Sequence, residues 1–102
     1  MGLCTGRTVI ITGAARGLGR AYALAFGAEG ANVVVNDIGT SLSGEGRDTS
    51  AADAVVAEIK AAGGNAIANY EDITDWDAAK RIADAALAAF GDLHVVVNNA
   101  GI

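Results

Sequence analysis

A chain of 102 residues that is 52% apolar and only 19% charged has the composition of one small globular domain and not of a disordered segment. Seven basic against twelve acidic side chains give a net charge of -5 with no Lys/Arg cluster, which argues against nucleic acid and against an anionic membrane surface as partners. The lone cysteine, Cys4, excludes an intrachain disulfide and a cysteine metal cluster, and no apolar run is long enough to span a bilayer, so a cytoplasmic location is expected.

Two kinds of apolar pattern alternate along the chain. Residues 8–12 (TVIIT) form a continuous β-branched run, which predicts a strand buried on both faces, as in a parallel sheet. Residues 17–29 follow as an Ala-rich helix, with Leu18, Tyr22, Ala25 and Phe26 at three- and four-residue spacing expected to face inward. A second strand is predicted over residues 32–35 (NVVV). Residues 38–49 (IGTSLSGEGRDT) then make a connection that is long for a βα loop, and long loops are often functional. The second helix, residues 50–62, repeats Ala54, Val55, Ile59 and Ala62. The third strand, residues 65–70 (NAIANY), is the weakest, because two alanines and two asparagines dilute it.

The third helix, residues 75–90, repeats Ile82, Ala86 and Phe90, with Thr74 as its N-cap. The fourth strand is predicted over residues 94–97 (HVVV). Gly30, Gly63-Gly64 and Gly91 each follow a helix, where a C-cap glycine belongs. This order implies right-handed βαβ crossovers and an α/β fold, a doubly wound parallel sheet covered on both faces. Four strands are few for such a sheet, and the last runs straight into Asn98-Asn99-Ala100-Gly101-Ile102. Residues 1–102 are therefore expected to be the N-terminal portion of a single domain whose catalytic portion lies beyond residue 102.

The strongest chemical signal is Thr12-Gly13-Ala14-Ala15-Arg16-Gly17-Leu18-Gly19, between the first strand and the first helix. Glycines there permit a tight turn and close approach of backbone to phosphate, while the helix N-terminus offers unpaired N–H groups. Structural turns also use glycine, but strand, turn and helix all fall in the context that a dinucleotide pyrophosphate requires. Asp37 ends the second strand eighteen residues after Gly19, near the separation expected of a ribose-binding acid. Its carboxylate can accept hydrogen bonds from the ribose hydroxyls of NAD and would repel the 2′-phosphate of NADP; the alternative is an Asp that caps a turn.

The T-G-x-x-x-G-x-G spacing resembles the short-chain dehydrogenase/reductase family, a Rossmann-type fold. Two further elements carry that resemblance in the family's order: Asp72-Ile73 after the third strand, and Asn98-Asn99-Ala100-Gly101 after the fourth. The resemblance implies a cofactor site built from Gly13, Arg16, Gly17, Leu18, Gly19, Asp37, Asp72, Ile73, Asn98, Ala100 and Gly101. Asp72 and Ile73 would contact adenine, and Asn98, Ala100 and Gly101 the nicotinamide-side ribose. Arg16 pulls toward NADP, since a basic residue before the middle glycine often accompanies its use in the family, or it is a solvated surface side chain. Like charges at close range outweigh a more distant cation, which favours Asp37 and NAD.

In the resembled family a Ser and a Tyr-x-x-x-Lys pair downstream of N-N-A-G perform catalysis. Neither tyrosine fits here, since Phe26 stands four residues after Tyr22 and Thr74 four after Tyr70, so no catalytic residue is assigned. The stretch Asn36-Asp37-Ile38-Gly39, the long loop, Ser50-Ala51-Ala52-Asp53 and residues 63–70 resemble the dehydrogenase unit of multifunctional β-oxidation enzymes. That similarity implies oxidation of 3-hydroxyacyl-CoA with NAD, by a complete protein that is homo-oligomeric. The competing expectations are a non-catalytic nucleotide-binding fragment and a NADP-dependent 3-ketoacyl reductase. No metal site is assigned: His94 is the only histidine and has no cysteine partner. His94 also stands where the family commonly has Asp. Trp76 and Tyr22 are expected to be packing residues, and Cys4 has nothing to activate it.

Overall fold

Five consecutive residues of strand β1 (Thr8–Thr12) are buried, so both faces of this strand must be covered by something other than water. The computed structural model, which describes residues 6–14, 17–37, 50–71 and 76–97, shows how. Helix α1 (Gly17–Ala28), strand β2 (Asn32–Asn36), helix α2 (Ser50–Ala61), strand β3 (Asn65–Asn69), helix α3 (Trp76–Phe90) and strand β4 (Val95–Val97) follow β1 in chain order. The four strands form one parallel sheet in the order β3-β2-β1-β4. The expected doubly wound α/β architecture is what forms.

Alternation along the strands divides the core in two. Val9 and Ile11 of β1 join Val33 and Val35 of β2, and meet Ala23 of α1 with Ala52, Val55 and Ile59 of α2. Ile10 and Val34 point the other way and meet Ile82 and Ala86 of α3. Helices α1 and α2 therefore cover one face and α3 the other, as the period-two geometry of a strand demands. All three predicted helices and all four strands form, with ends within a residue of expectation. His94 precedes β4 and does not belong to it. Gly30, Gly63 and Gly91 end their helices with φ of 89°, 92° and 78°. Thr74 and the loop of residues 38–49 lie outside the described residues.

One inward face differs from expectation. Helix α1 buries Gly19, Ala23 and Gly27, while Leu18 is 67% exposed and Tyr22 40%. The reason is proximity. A Cβ on Gly27 would stand 2.9 Å from Ile59 Cγ2, and one on Gly64 would stand 2.8 Å from the same atom. Ile59 is held between two glycines, so the seam between α1 and α2 admits only small residues. Leu24 and Phe26 are displaced to its margin, where they are partly buried. In α2, likewise, Ala52, Val55 and Ile59 are inward and Ala54 and Ala62 are exposed. Trp76 does not pack as expected: it is 88% exposed at the start of α3, beside a shallow surface hollow that it shares with Ala79 and Lys80.

His94 ties the amino ends of β1 and β4 together. Its backbone N–H donates to the Thr8 carbonyl at 3.0 Å, and its Nδ1 accepts from the Thr8 N–H at 3.0 Å. Nε2 faces the Asp92 carboxylate at 3.5 Å. The histidine thus keeps a polar contact at a position where the resembled family commonly has an acid.

Two substitutions test this packing. Thr8 Oγ1 is buried without a hydrogen-bond partner. Thr8→Val replaces an orphan hydroxyl by a methyl group and is expected to raise unfolding free energy by about 1 kcal/mol in urea denaturation. Gly27→Ala should gain about 1 kcal/mol of helix propensity. It should nonetheless lose up to about 2 kcal/mol net, because overpacking against a trapped side chain costs about 1–3 kcal/mol. Adding Ile59→Ala should make the pair less destabilising than the sum of its parts; simple additivity would show that the seam is not tight.

Candidate cofactor site

In a parallel sheet every strand ends at the same edge. Helix α1 carries the chain from β1 to β2 on one side, and α3 carries it from β3 to β4 on the other side of β1. The order therefore reverses between β1 and β4, and the crevice at their carboxyl ends is where open α/β sheets bind ligands. Thr12 Oγ1 spans that point, donating to the Val97 carbonyl at 3.3 Å.

The glycine turn begins directly beyond Thr12. Gly13 has φ of 62° and Gly17, which opens α1, has φ of 59°. Both are left-handed conformations that side-chain-bearing residues rarely adopt. A Cβ on Gly17 would meet nothing within 4 Å, so this glycine serves the backbone course and an open approach to the helix end, not an internal fit. Ala14 is fully buried, and its N–H donates to the Asn36 carbonyl at 2.9 Å, which pins the turn to the end of β2. Helix α1 has no acidic residue in its first turn, so no carboxylate of its own occupies its N-terminal N–H groups there. Gly19 is buried against the sheet side, and Leu18 faces outward on the same turn. The donors, the open space and the absent side chains fit a pyrophosphate.

Asp37 follows β2 and is half-buried, its backbone N–H donating to the Asn69 carbonyl at 3.0 Å. The structure thus gathers Gly13, Gly17, Leu18, Gly19 and Asp37 along one edge. Arg16, Asp72, Ile73, Asn98, Ala100 and Gly101 lie outside the described residues. Among those described, no group of three or more His, Cys, Asp or Glu could hold a metal ion.

Sequence reasoning missed the polar network behind this edge. Asn36 is 1% exposed, and its Nδ2 donates to Asn69 Oδ1 at 2.9 Å and to the Glu71 carbonyl at 3.0 Å. Asn69 Oδ1 also accepts the Glu71 N–H at 3.0 Å. The Glu71 carboxylate receives Arg81 of α3 in a two-pronged pair at 2.9 Å. At the end of β3 the Tyr70 hydroxyl donates to Asp53 in the first turn of α2. That bond, together with Asp53's charge and some burial, holds the phenol above its usual pKa, because ionising it would set two anions together. The available signal was the spacing N-x-x-x-N, which occurs in both partner strands.

An apolar groove of about 320 Å³ lies on the α3 side, lined among others by Ile10, Ile82, Leu93 and Val96. Thr12 also lines it, whereas the described site residues Gly13, Gly17, Leu18, Gly19 and Asp37 do not.

The family model described as short chain dehydrogenase matches residues 7–102. The peroxisomal hydratase-dehydrogenase-epimerase of Neurospora crassa is 54% identical over 95% of this chain, which spans 10% of that protein. A short chain dehydrogenase from Mycobacterium avium superposes with a TM-score of 0.89 at 56% identity, covering 100% of this chain and 35% of its own. A short chain dehydrogenase from Mycobacterium paratuberculosis bound to NAD gives a TM-score of 0.87 at 35% identity, covering 99% of this chain and 39% of its own. On fold, glycine turn and family match together, the chain belongs to the short-chain dehydrogenase family.

Proposed function

We propose that this segment is the cofactor-binding half of an NAD-dependent oxidoreductase that interconverts a secondary alcohol and a ketone. The observation that carries the reading is the pair of left-handed glycines, Gly13 and Gly17, opening α1 beside Asp37. The N–H groups of the turn and of α1 would hold the pyrophosphate, and Asp37 would accept the adenosine ribose hydroxyls. Asp72 and Ile73 would border adenine, and Asn98, Ala100 and Gly101 the second ribose. A dinucleotide held there would supply a hydride acceptor for the alcohol carbon. The proton-handling groups are assigned to chain beyond this segment, as the family resemblance implies.

A 3-hydroxyacyl-CoA is the proposed substrate. Support comes from the stretch around Asp37 and from the similarity to a protein named as both hydratase and dehydrogenase. A homo-oligomer is proposed for the complete protein on the family resemblance alone.

Asp37→Ala tests the cofactor assignment. Losing the ribose acceptor should weaken NADH binding by about tenfold, while relief of charge repulsion should strengthen NADPH binding. Fluorescence titration of the complete chain with each dinucleotide measures both. An unchanged preference would discard Asp37 as the selector and return the reading to the NADP-dependent reductase that Arg16 suggests.

A further inference from the structure

Strands β2 and β3, whose carboxyl ends lie beside Asp37, carry asparagines at the same levels of their ladder. Asn32 pairs in register with Asn65, and Asn36 with Asn69. At the amino end the pair makes one side-chain bond, Asn65 Nδ2 to Asn32 Oδ1 at 3.2 Å, in an exposed position. The carboxyl-end pair is built differently. Asn36 spends both amide protons, one on Asn69 Oδ1 and one on the Glu71 carbonyl. Its own carbonyl takes the Ala14 N–H of the glycine turn. Asn69 takes the Asp37 N–H on its carbonyl and the Glu71 N–H on its side-chain oxygen. The two residues at this level therefore gather the glycine turn and the residue after β2 through their main-chain carbonyls, and the exit of β3 through their side chains.

We propose that the Asn36–Asn69 pair is a positioning element that aims the Asp37 carboxylate at the adenosine ribose and thereby sets the choice between NAD and NADP. The inference rests on the dinucleotide reading given above. Its physical basis is preorganisation. Asp37 is one residue beyond a buried hub, and its own N–H is held by Asn69, so the backbone that directs its Cβ is held before any ligand arrives. The chemistry also explains why the hub is amide and not acid. A buried aspartate at position 36 would have no protons for Asn69 Oδ1 and the Glu71 carbonyl, and would place an anion next to Asp37. The exposed Asn32–Asn65 pair closes the ladder at its far end and holds neither the glycine turn nor Asp37.

Dissociation constants for NADH and NADPH, measured on the complete chain, decide the matter. Asn69→Ala removes the oxygen shared by two donors. NADH and ADP-ribose affinity should each fall by about five- to tenfold, the value of one or two positioned hydrogen bonds, with NADPH affinity little changed. Asn65→Ala, which removes the equivalent pair at the other end, should leave both affinities as they are. In an Asp37→Ala background the Asn69→Ala effect should vanish, since it acts through that carboxylate. Should Asn69→Ala not fold, Asn69→Ser, which draws the acceptor back from both donors, carries the same expectation. A folded Asn69 variant with the wild-type NADH-to-NADPH ratio, or with equal losses for both, overturns the proposal. A wild-type chain that binds neither dinucleotide overturns the functional reading itself, and the two failures are distinguishable.

Discussion

The complete burial of β1 is the constraint from which the rest of the molecule follows. A strand without a solvent face must have neighbours on both edges and cover on both sides. Parallel crossovers supply both, because each returning helix is laid on the sheet it leaves. With α1 and α2 on one face and α3 on the other, Val9 and Ile11 are enclosed from one direction and Ile10 from the opposite one. The same winding sends every strand end to a single edge. The site is therefore not an addition to the fold; it is where a parallel sheet must turn, with backbone groups left to satisfy.

Burying backbone at that edge requires polar partners, and two asparagines provide them. Each stands four residues from an asparagine on the same strand, and the four stand at the two ends of the β2–β3 ladder. Between them lie Val33, Val34 and Val35 on β2, buried on both faces, and the lighter Ala66, Ile67 and Ala68 on β3. The apolar centre holds the strands together, and the amide ends fix where pairing stops. The surface pair of Glu71 and Arg81 extends this frame to α3, but an exposed ion pair of that kind contributes at most about 1 kcal/mol. Its value is direction more than strength.

These facts explain what could be read from the residues and what could not. Runs such as TVIIT and HVVV reveal buried strands because few other settings tolerate them, and glycines 13 and 17 stand where only a strand-to-helix turn makes sense of them. Hydrophobic size does not mark the inward face of α1, which is Gly19, Ala23 and Gly27. Where Gly27, Ile59 and Gly64 come within van der Waals reach, the signal is the lack of size. Trp76 failed for a related reason: an aromatic at a helix start can lie on the surface. Within β3 alone the asparagines only dilute a strand. Their role depends on what stands opposite, and register is a property of two segments that neither displays alone.

Electrostatics at the edge sharpens the same point. A chain with net charge -5 has no general attraction for a doubly charged pyrophosphate, so any attraction must be local. The helices differ in this respect. Helix α2 carries Asp53 in its first turn and α3 carries Asp77, each placed to complement the positive end of its own helix. Helix α1 carries no acid in its first turn. These two first-turn acids stabilise helices that have only to fold. The helix that follows the glycine turn forgoes that stabilisation, worth about 0.3–1 kcal/mol at an exposed end, as the proposed pyrophosphate site would require. Asp37 stands at the neighbouring strand end, where on the proposed reading its carboxylate would meet ribose hydroxyls and not phosphate. One edge can thus hold opposite charge preferences a few residues apart, because backbone supplies the first and a side chain on a fixed backbone supplies the second.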